Sequence, residues 1–312
     1  MAVEINGFTQ PKISAGQPST PRRRRAWGPY LVMLPTLLFL LIVSILPLLY
    51  SLVVSFLRYN LMDPEPPTFA GLRNFRLLLT SDKFWNSLSA TLQFVVIAVS
   101  LEFLLGLGLA LVLSRDVKGV RFFRSFLVVP LALAPIVVGL LWRFMLGTEY
   151  GLINNLMTIV GLPRTDFLSN TTWALVVIAI VDVWQWTPFM FLILLAAVQA
   201  LPVEPFEAAA IDGASRWQMF RQITLPLLRY PILVALLLRT IDAFRVYDLI
   251  FMMTRGGPIN VTDTLSWHIY NVGFRNFNMS YASALSWIML IIVTVVTSVF
   301  MRLLVERDKV KR

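Results

Sequence analysis

The chain has 312 residues, of which 57% are apolar and only 14% are charged. Soluble domains carry about 25% charged residues, so this composition excludes an ordinary water-soluble globule and indicates a membrane protein. The net charge of +10 comes from short Lys and Arg runs between apolar blocks. We interpret these runs as topology signals and lipid contacts, not as a nucleic-acid surface.

The chain has no cysteine and one histidine, His268, within a polar segment. Disulfides and thiol chemistry are therefore excluded, and a metal site is not expected because metal sites need several convergent ligands. We predict that His268 is a solvated loop residue.

Residues 1–25 are polar and end in four consecutive arginines, which predicts a disordered cytoplasmic tail. The following block, residues 30–57, has 28 residues without a charge. As a helix it would be ~42 Å long, whereas the apolar region of a signal peptide has only about 7–15 residues. The block therefore predicts an uncleaved membrane-spanning helix.

Five further apolar blocks follow, and each exceeds the roughly 20 residues that a helix needs to cross a bilayer. They cover residues 87–113, 122–146, 172–200, 230–253 and 281–304. The predicted fold class is all-α: a polytopic transmembrane bundle of six spans, with the transmembrane domain over residues 26–312.

The distribution of positive charge predicts the orientation. With a cytoplasmic N-terminus, the inner segments hold 17 of the 27 Lys and Arg residues, the outer loops hold 7, and 3 lie within spans. Cytoplasmic loops are enriched in Lys and Arg. Both termini are therefore predicted to lie in the cytoplasm.

One cytoplasmic loop, residues 201–227, has local chemistry that predicts two short helices meeting at a bend. Pro205 suits a first helical turn, and Gly213 suits the left-handed position after a helix end. Ser215 followed by Gln218 is a capping-box pattern for the second helix. Pro226 is predicted to stop or kink the chain before the fifth span.

The loop also carries apolar side chains that could serve as interface anchors. They are Phe206, Ile211, Trp217 and Phe220. A rigid two-helix element could dock in a partner protein and transmit a movement, but it could equally be an amphipathic helix lying on lipid. Composition leaves both readings open.

The loop resembles the signature loop of the permeases of bacterial ATP-binding-cassette (ABC) importers. The matching residues are Glu207, Ala208, Ala209, Gly213, Ile223, Leu225 and Pro226, in the order and spacing of that signature. The resemblance implies that the loop forms a coupling helix that seats in a separate ATPase, with Glu207 and Gly213 as the docking and bend positions.

The resemblance extends from about residue 28 to the C-terminus and is closest to the first permease subunit of maltose and trehalose importers. The weaker signals for that subgroup are the segments Gly71–Phe75, Trp184–Pro188 and Thr254–Pro258. It implies a multi-pass protein of the bacterial plasma membrane with three kinds of partner: a second permease subunit, two ATPase copies and an extracytoplasmic sugar-binding protein. ATP and Mg²⁺ would bind to the ATPase, and no cofactor to this chain.

A substrate site is predicted where polar groups lie at bilayer depth, because such groups must face a cavity, a partner or one another. In the fourth span, Asp182, Gln185, Trp186 and Phe189 share one helix face. Carboxylate and amide groups can bond to sugar hydroxyls, and an indole can pack on the apolar face of a sugar ring.

In the fifth span, Arg239, Asp242, Arg245 and Asp248 alternate in sign every third residue. They could form a self-paired structural ladder or part of the site, and both interpretations stay open. In related sugar permeases, the positions that match Asp182, Trp184, Gln185, Trp186, Arg239, Ala243 and Val246 lie at or near the sugar. Asp182 and Arg239 replace uncharged groups of the maltose case, which favours a trehalose-like or other glycoside over maltose.

Single charges in other spans, Glu102 and Arg143, are predicted to pair or snorkel and not to act in function. Gly106 and Gly108, with Ala110, are predicted to allow close helix packing.

The sequence has no phosphate-binding Gly-x-x-x-x-Gly-Lys-Ser/Thr motif, so energy would come from another protein. Three alternatives remain: an ABC importer permease for glycerol phosphate or a polyol, an ATPase-independent secondary transporter or channel, and a membrane-embedded enzyme using Asp182 and Asp242. No inverted repeat supports the second, and no nucleophile or cofactor motif supports the third.

Overall fold

The computed structural model describes residues 28–114 and 120–305. The described part is mostly helical, which confirms the predicted fold class. Five helices of the described part are long and apolar enough to cross a membrane, and a bent helix pair makes six if it counts as one span. The predicted tail, residues 1–25, lies outside the described residues.

The first helix begins as α1, continues through a π turn and ends as α2. The bounds of these parts are Gly28–Leu40, Leu41–Ile45 and Leu46–Ser55. A two-stranded antiparallel hairpin follows, in which Leu57 pairs with Phe69 and Arg58 with Thr68. Its strands are β1 (Leu57–Arg58) and β2 (Thr68–Phe69).

The other helices follow in chain order. They are α3 (Arg73–Leu79), α4 (Asp82–Leu113), α5 (Val120–Val128), a 3₁₀ turn (Val129–Ala132), α6 (Pro135–Met145), α7 (Leu152–Ile159), α8 (Ala174–Gln199), α9 (Glu204–Ile211), α10 (Arg216–Met219), a π turn (Phe220–Thr224), α11 (Leu225–Phe244), α12 (Asp248–Met253), α13 (Leu265–Tyr270), a π turn (Asn271–Arg275) and α14 (Met279–Val305). Segments 56–81, 146–173 and 245–278 join the long helices at one end, which we call the loop end.

The third predicted span, residues 122–146, is not a straight helix. It consists of two pieces, Phe122–Ala132 and Pro135–Met145, that meet at an angle of 97°. Ala134 between them is extended, with φ −63° and ψ 133°. The residue before a proline is pushed out of the helical region, so Pro135 accounts for the break.

The fifth predicted span, residues 230–253, is also displaced. Its helix runs from Arg216 to Phe244, and residues 248–253 form the separate helix α12. The helix can end at Phe244 because the Ser266 hydroxyl donates to the Phe244 carbonyl (3.3 Å), and the Thr264 hydroxyl donates to that of Val246 (3.3 Å). These partners lie about twenty residues further along the chain, which explains why periodicity did not reveal the end.

Pro226 does not stop the chain, which is one of the two outcomes predicted for it. The helix passes through it because the preceding turn, Phe220–Thr224, widens to a π turn. A proline lacks the N–H of a regular helix position, and a π turn is one way to accommodate such a local irregularity.

The core of the bundle lies where α4 packs against α8. Fully buried side chains on both helices include Phe94, Ala98, Ile178 and Val181. A Cβ at Gly106 would lie 2.7 Å from the Met190 Cβ, so the two backbones approach closely there. The prediction of close packing is confirmed for Gly106 and buried Ala110 but is wrong for Gly108, where an added Cβ would have no neighbour within 4 Å.

His268 is buried, contrary to the predicted solvated loop. It lies in α13, whose first turn is capped by Thr264, and its Nδ1 is 2.8 Å from the Ser87 hydroxyl of α4. Burial, with the nearby Lys83 charge, lowers the pKa of His268 to about 4. The ring is therefore neutral at pH 7. The prediction failed because the apolar Leu265 and Trp267 draw this segment into the core.

The two glycines of α4 provide a matched test of helix packing. Gly106→Ala should destabilise the protein, because the added methyl group collides with the Met190 Cβ and the Phe191 backbone. We expect a loss of about 1–3 kcal/mol. Gly108→Ala should be neutral or slightly stabilising, because alanine has the higher helix propensity.

Thermal unfolding of the purified wild type and both variants in one detergent measures the difference. Equal melting temperatures for Gly106→Ala and Gly108→Ala would contradict the close approach of α4 and α8.

Candidate substrate site and coupling loop

A buried arginine joins three long helices. Arg239 of α11 is 1% exposed, and its Nε and Nη2 donate to the two carboxylate oxygens of Glu102 in α4, at 2.6 and 3.0 Å. Its Nη2 also donates to Asp182 of α8. This two-point pairing with Glu102 is the geometry that an arginine and a carboxylate favour. The bundle interior therefore holds an ion cluster.

The cluster continues towards a more open side. Nη1 of Arg239 donates to Asp242 at 3.0 Å, and Asp242 lies 3.6 Å from Nη2 of Arg245. The Asp242 and Arg245 side chains are 38% and 68% exposed. Arg239, Asp242 and Arg245 thus pair partly as a ladder, but the helix ends before Asp248. The ladder is therefore incomplete, and the main partners of Arg239 are Glu102 and Asp182, which belong to other helices.

A small cavity lies against this ion cluster, with a volume of about 90 Å³. Its wall includes Asp182, Trp186, Arg239, Asp242, Ala243, Arg245, Val246, Tyr247, Asp248, Leu249 and Pro135. Seven of the nine residues predicted for a substrate site line this inner cavity. It presents charged groups and aromatic faces together, which suits a polyhydroxylated ring.

Two aromatic residues shape the inner cavity. The Arg239 guanidinium carbon lies 4.9 Å from the centre of the Trp186 ring, a cation–π contact that fixes the indole beside the cluster. Tyr247 stacks on Phe251, with ring centres 5.6 Å apart. Burial and a hydrogen bond to Tyr270 raise the pKa of Tyr247 to about 12, so its hydroxyl remains protonated.

Trp184 and Gln185 do not line the inner cavity. Trp184 is 41% exposed and packs on Trp142 with ring centres 5.7 Å apart. It borders a separate apolar hollow of about 350 Å³ on another side of α8. Gln185 is buried and donates to the Leu133 carbonyl at 2.9 Å. It therefore satisfies a carbonyl at the break in the third span, while its Oε1 is buried without a hydrogen-bond partner among the described residues.

Sequence reasoning underestimated Glu102 and missed Tyr247. Glu102 was expected only to pair or snorkel, and it does pair, but it does so with Arg239 at the edge of the site. The signal for it was a carboxylate in the middle of a long apolar helix. Tyr247 falls in a segment that was predicted as part of a continuous span, so its position beside the inner cavity had no sequence signal.

The loop of residues 201–227, which we call the coupling loop after its predicted role, has the predicted local geometry. Helix α9 is followed by Gly213 with φ +76°, and the Ala214 N–H donates to the Ala209 carbonyl at 2.9 Å, which closes the helix end. The Gln218 N–H donates to the Ser215 hydroxyl at 3.3 Å. The Ser215 N–H donates to the Gln218 side chain at 2.7 Å, so the capping box is confirmed.

The loop exposes apolar side chains beside its charged ones. Ile211 is 87% exposed and Trp217 is 67% exposed. Glu207 and Ala208 are exposed, and Ala209 is half-buried. The remaining signature residues, Ile223, Leu225 and Pro226, lie within the long helix that begins at Arg216. The loop is therefore continuous with the helix that carries Arg239.

Removal of the central charge provides a direct test of the ion cluster. Arg239→Met leaves Glu102 and Asp182 buried without a counter-ion, and breaking a buried ion pair from one side costs roughly 3–5 kcal/mol. Arg245 lies near the same end of α11, and its side chain is 68% exposed. Arg245→Met should therefore lower the stability much less.

The midpoint of thermal unfolding of each purified variant, compared with wild type, gives the ranking. A melting temperature of Arg239→Met that matches that of Arg245→Met would show that the cluster does not hold the three helices together.

Comparison with known proteins gives relatives over most of the chain. Residues 102–309 match the family model described as "Binding-protein-dependent transport system inner membrane component". The trehalose/maltose transport system permease protein MalF of Thermococcus litoralis is 40% identical over 88% of this chain and 92% of its own. The sulfoquinovosyl glycerol transport system permease protein SmoG of Agrobacterium fabrum is 31% identical over 89% of this chain and 90% of its own.

A solved structure has the same architecture. A chain of a bacterial ABC transporter involved in the import of the acidic polysaccharide alginate superposes with a TM-score of 0.78 and 25% identity, over 89% of this chain and 95% of that one. These matches agree with the membrane helices, the coupling loop and its signature. The chain belongs to the family of binding-protein-dependent transport system inner-membrane components, the permeases of ABC importers.

Proposed function

We propose that this chain is a permease subunit that carries a neutral, trehalose-like glycoside into the cytoplasm by alternating access. The observation that carries the proposal is the inner cavity, where Trp186 and Tyr247 stand beside the ion cluster of Arg239. The 40% identity to a trehalose/maltose permease supports the same substrate class. The alternative, glycerol phosphate or another anionic solute, is disfavoured by the charges of the cavity.

The pairing of Arg239 favours a neutral substrate. All three nitrogen atoms of its guanidinium already donate to carboxylates of this chain. It has little capacity left to bind an anionic group. Arg245 on the same wall is a second cation, but the three carboxylates of Asp182, Asp242 and Asp248 outnumber the two arginines and would repel an anionic group. Carboxylates accept hydrogen bonds from hydroxyl groups, so a neutral sugar fits this wall better than a uronic, sulfonated or phosphorylated one.

The inner cavity is too small to enclose a sugar by itself. Its volume of about 90 Å³ compares with roughly 300–1,000 Å³ for pockets that enclose small ligands. We infer that this wall is completed by a second permease subunit. An extracytoplasmic sugar-binding protein would deliver the substrate, and two copies of a separate ATPase, with their ATP and Mg²⁺, would supply the energy.

The structure suggests how the ATPase could act on the substrate site. The helix from Arg216 to Phe244 is one span, and it carries the coupling loop at one end and Arg239 near the other. The two positions are 23 residues apart, which is about 35 Å along a helix. A displacement of α9 by the ATPase would move Arg239 against Glu102 and Asp182. The termini and coupling loop would then be cytoplasmic, in the bacterial plasma membrane, as the charge distribution predicts.

The coupling role predicts an uncoupled phenotype. Glu207→Arg reverses a charge on the exposed face of α9, and Gly213→Val places a β-branched residue at φ +76°, a left-handed conformation that glycine favours. Each should lower sugar uptake at least about tenfold, a change of ~1.4 kcal/mol in coupling. ATP hydrolysis should no longer follow uptake, while the amount of protein in the membrane stays unchanged.

Uptake of radiolabelled trehalose and ATP hydrolysis by the complete transporter are the measurements. Glu204→Arg, at the first turn of the same helix, is the matched control for charge reversal. Wild-type transport by Glu207→Arg would contradict docking at this position and favour a lipid-facing loop.

Substitution of the two tryptophans of α8 tests which cavity binds the substrate, because Trp186 lines the inner cavity and Trp184 borders the apolar hollow. Trp186→Ala removes an aromatic face from the inner cavity and should reduce trehalose uptake about tenfold or more, the equivalent of ~1.4 kcal/mol. Trp184→Ala removes a side chain of the same type that faces elsewhere, and uptake should remain near the wild-type rate.

Initial uptake rates, normalised to the membrane level of each variant, test this difference. A larger loss for Trp184→Ala than for Trp186→Ala would place the sugar on the other side of α8. Failure of the wild-type transporter to import any neutral glycoside would overturn the proposed substrate class.

A further inference from the structure

A second, larger hollow opens at the loop end of the molecule. Its volume is about 490 Å³, and we call it the outer hollow. Its polar wall residues are Arg143, Thr148, Asp166, Ser169 and Thr254. The outer hollow is large enough for a small ligand, whereas the inner cavity is not. It uses none of the residues predicted for a substrate site.

One buried asparagine fixes two walls of the outer hollow. Asn154 is fully buried, and its Nδ2 donates to the carbonyls of Leu146 (3.2 Å), Gly147 (3.1 Å) and Thr165 (3.1 Å). Its Oδ1 accepts the Thr165 N–H at 2.8 Å. Leu146 and Gly147 line one wall, and Thr165 precedes Asp166 of another. A single side chain therefore holds both walls at a set distance.

The remaining wall is fixed in a similar way. The hydroxyls of Thr254 and Thr262 lie 2.7 Å apart, and the Thr262 hydroxyl donates to the Gly257 carbonyl at 2.6 Å. Nη1 of Arg143 donates to the Met252 carbonyl at 3.1 Å, which ties α6 to α12. The outer hollow is therefore built mainly from loops, and hydrogen bonds that are mostly part-buried preorganise it.

The wall offers unused hydrogen-bonding groups. Among the described residues, the hydroxyls of Thr148 and Ser169 have no hydrogen-bond partner, and the Asp166 carboxylate accepts only the Ser169 N–H at 3.1 Å. Arg143 uses one of its three nitrogen atoms. Hydroxyl donors and acceptors next to one carboxylate and one guanidinium match a ligand that carries many hydroxyl groups.

The outer hollow and the inner cavity lie along the same helix pair. In α6, Pro135 lines the inner cavity and Arg143 lines the outer hollow. In α12, the corresponding residues are Leu249 and Met253. The eight residues between the two α6 positions correspond to ~12 Å of helix, and the four residues between the two α12 positions correspond to ~6 Å. A sugar leaving the outer hollow would therefore travel about one to two helical turns to reach the inner cavity.

We propose that the outer hollow is a second sugar subsite, which holds a neutral glycoside before it enters the inner cavity. This inference rests on the proposed function, because it takes the loop end to be the extracytoplasmic face. Thr148, Asp166, Ser169 and Thr254 bind the hydroxyl groups of the sugar, and Arg143 closes the side next to α12.

Site-specific labelling tests the outer subsite directly. The chain has no cysteine, so Ser169→Cys in the complete transporter, assembled with cysteine-free partners, provides a single reactive thiol in the hollow. Without ATP and without the binding protein, trehalose should slow modification of this thiol by N-ethylmaleimide. The rate falls by the factor 1 + [trehalose]/Kd, about threefold at twice the Kd. The protection should disappear when Asp166→Asn is combined with Ser169→Cys. If that double variant does not assemble, Thr148→Val combined with Ser169→Cys should abolish the protection in the same way.

Glu149→Cys, in the same loop but not on the wall of the outer hollow, is the matched control and should be modified at the same rate with and without trehalose. In uptake assays, Asp166→Asn should slow trehalose import while Glu149→Gln does not, and hydrolysis stimulated by the binding protein should stay unchanged.

Two results would overturn the subsite. One is modification of Ser169→Cys at an unchanged rate in trehalose while the transporter imports the sugar normally. The other is loss of stimulated hydrolysis in Asp166→Asn with unchanged thiol protection, which would assign this face to the binding protein. A wild-type transporter that imports no neutral glycoside would instead refute the proposed function, so the two failures are distinguishable.

Discussion

The structure depends on one buried charge. The Arg239 guanidinium lies in an apolar bundle and is neutralised by Glu102 and Asp182, which come from two other helices. A charge at this depth is expensive unless it is paired and hydrogen-bonded. The three helices therefore have to meet at this height and in this rotation, and the position of the inner cavity follows from the pairing.

The same constraint bears on the transport mechanism that we propose. Such a cluster adds little net stability as a whole, because desolvation of the ions offsets much of their attraction. It is a better candidate for a two-state element, since a small movement of α11 changes the pairing of Arg239 with α4 and α8. The break at Pro135 brings α6 against α12 beside this cluster. Gln185 of α8 donates a hydrogen bond to the Leu133 carbonyl at this break. The path that we propose for the sugar is thus lined by the ends of α6 and α12 as well as by helix faces.

The coupling loop is built by a different kind of interaction. Its bend needs only the left-handed Gly213, the Ser215–Gln218 capping box and the alanines of α9, all within fifteen residues of one another. The interactions that shape its bend lie within the loop itself. This local construction suits the movement as a unit that we propose for the loop.

The sequence by itself determined what depends on near neighbours or on composition: the membrane class, the approximate spans, the capping of the coupling loop and the face shared by Asp182 and Trp186. Tertiary structure decided the rest. Glu102 and Arg239 are 137 residues apart, Trp184 turns away from its neighbours' cavity, and Leu265 and Trp267 bury His268. The helix end at Phe244 also depends on distant hydrogen bonds, from Thr264 and Ser266. Local patterns report which groups need a partner, but only the packed chain determines which partner each group finds.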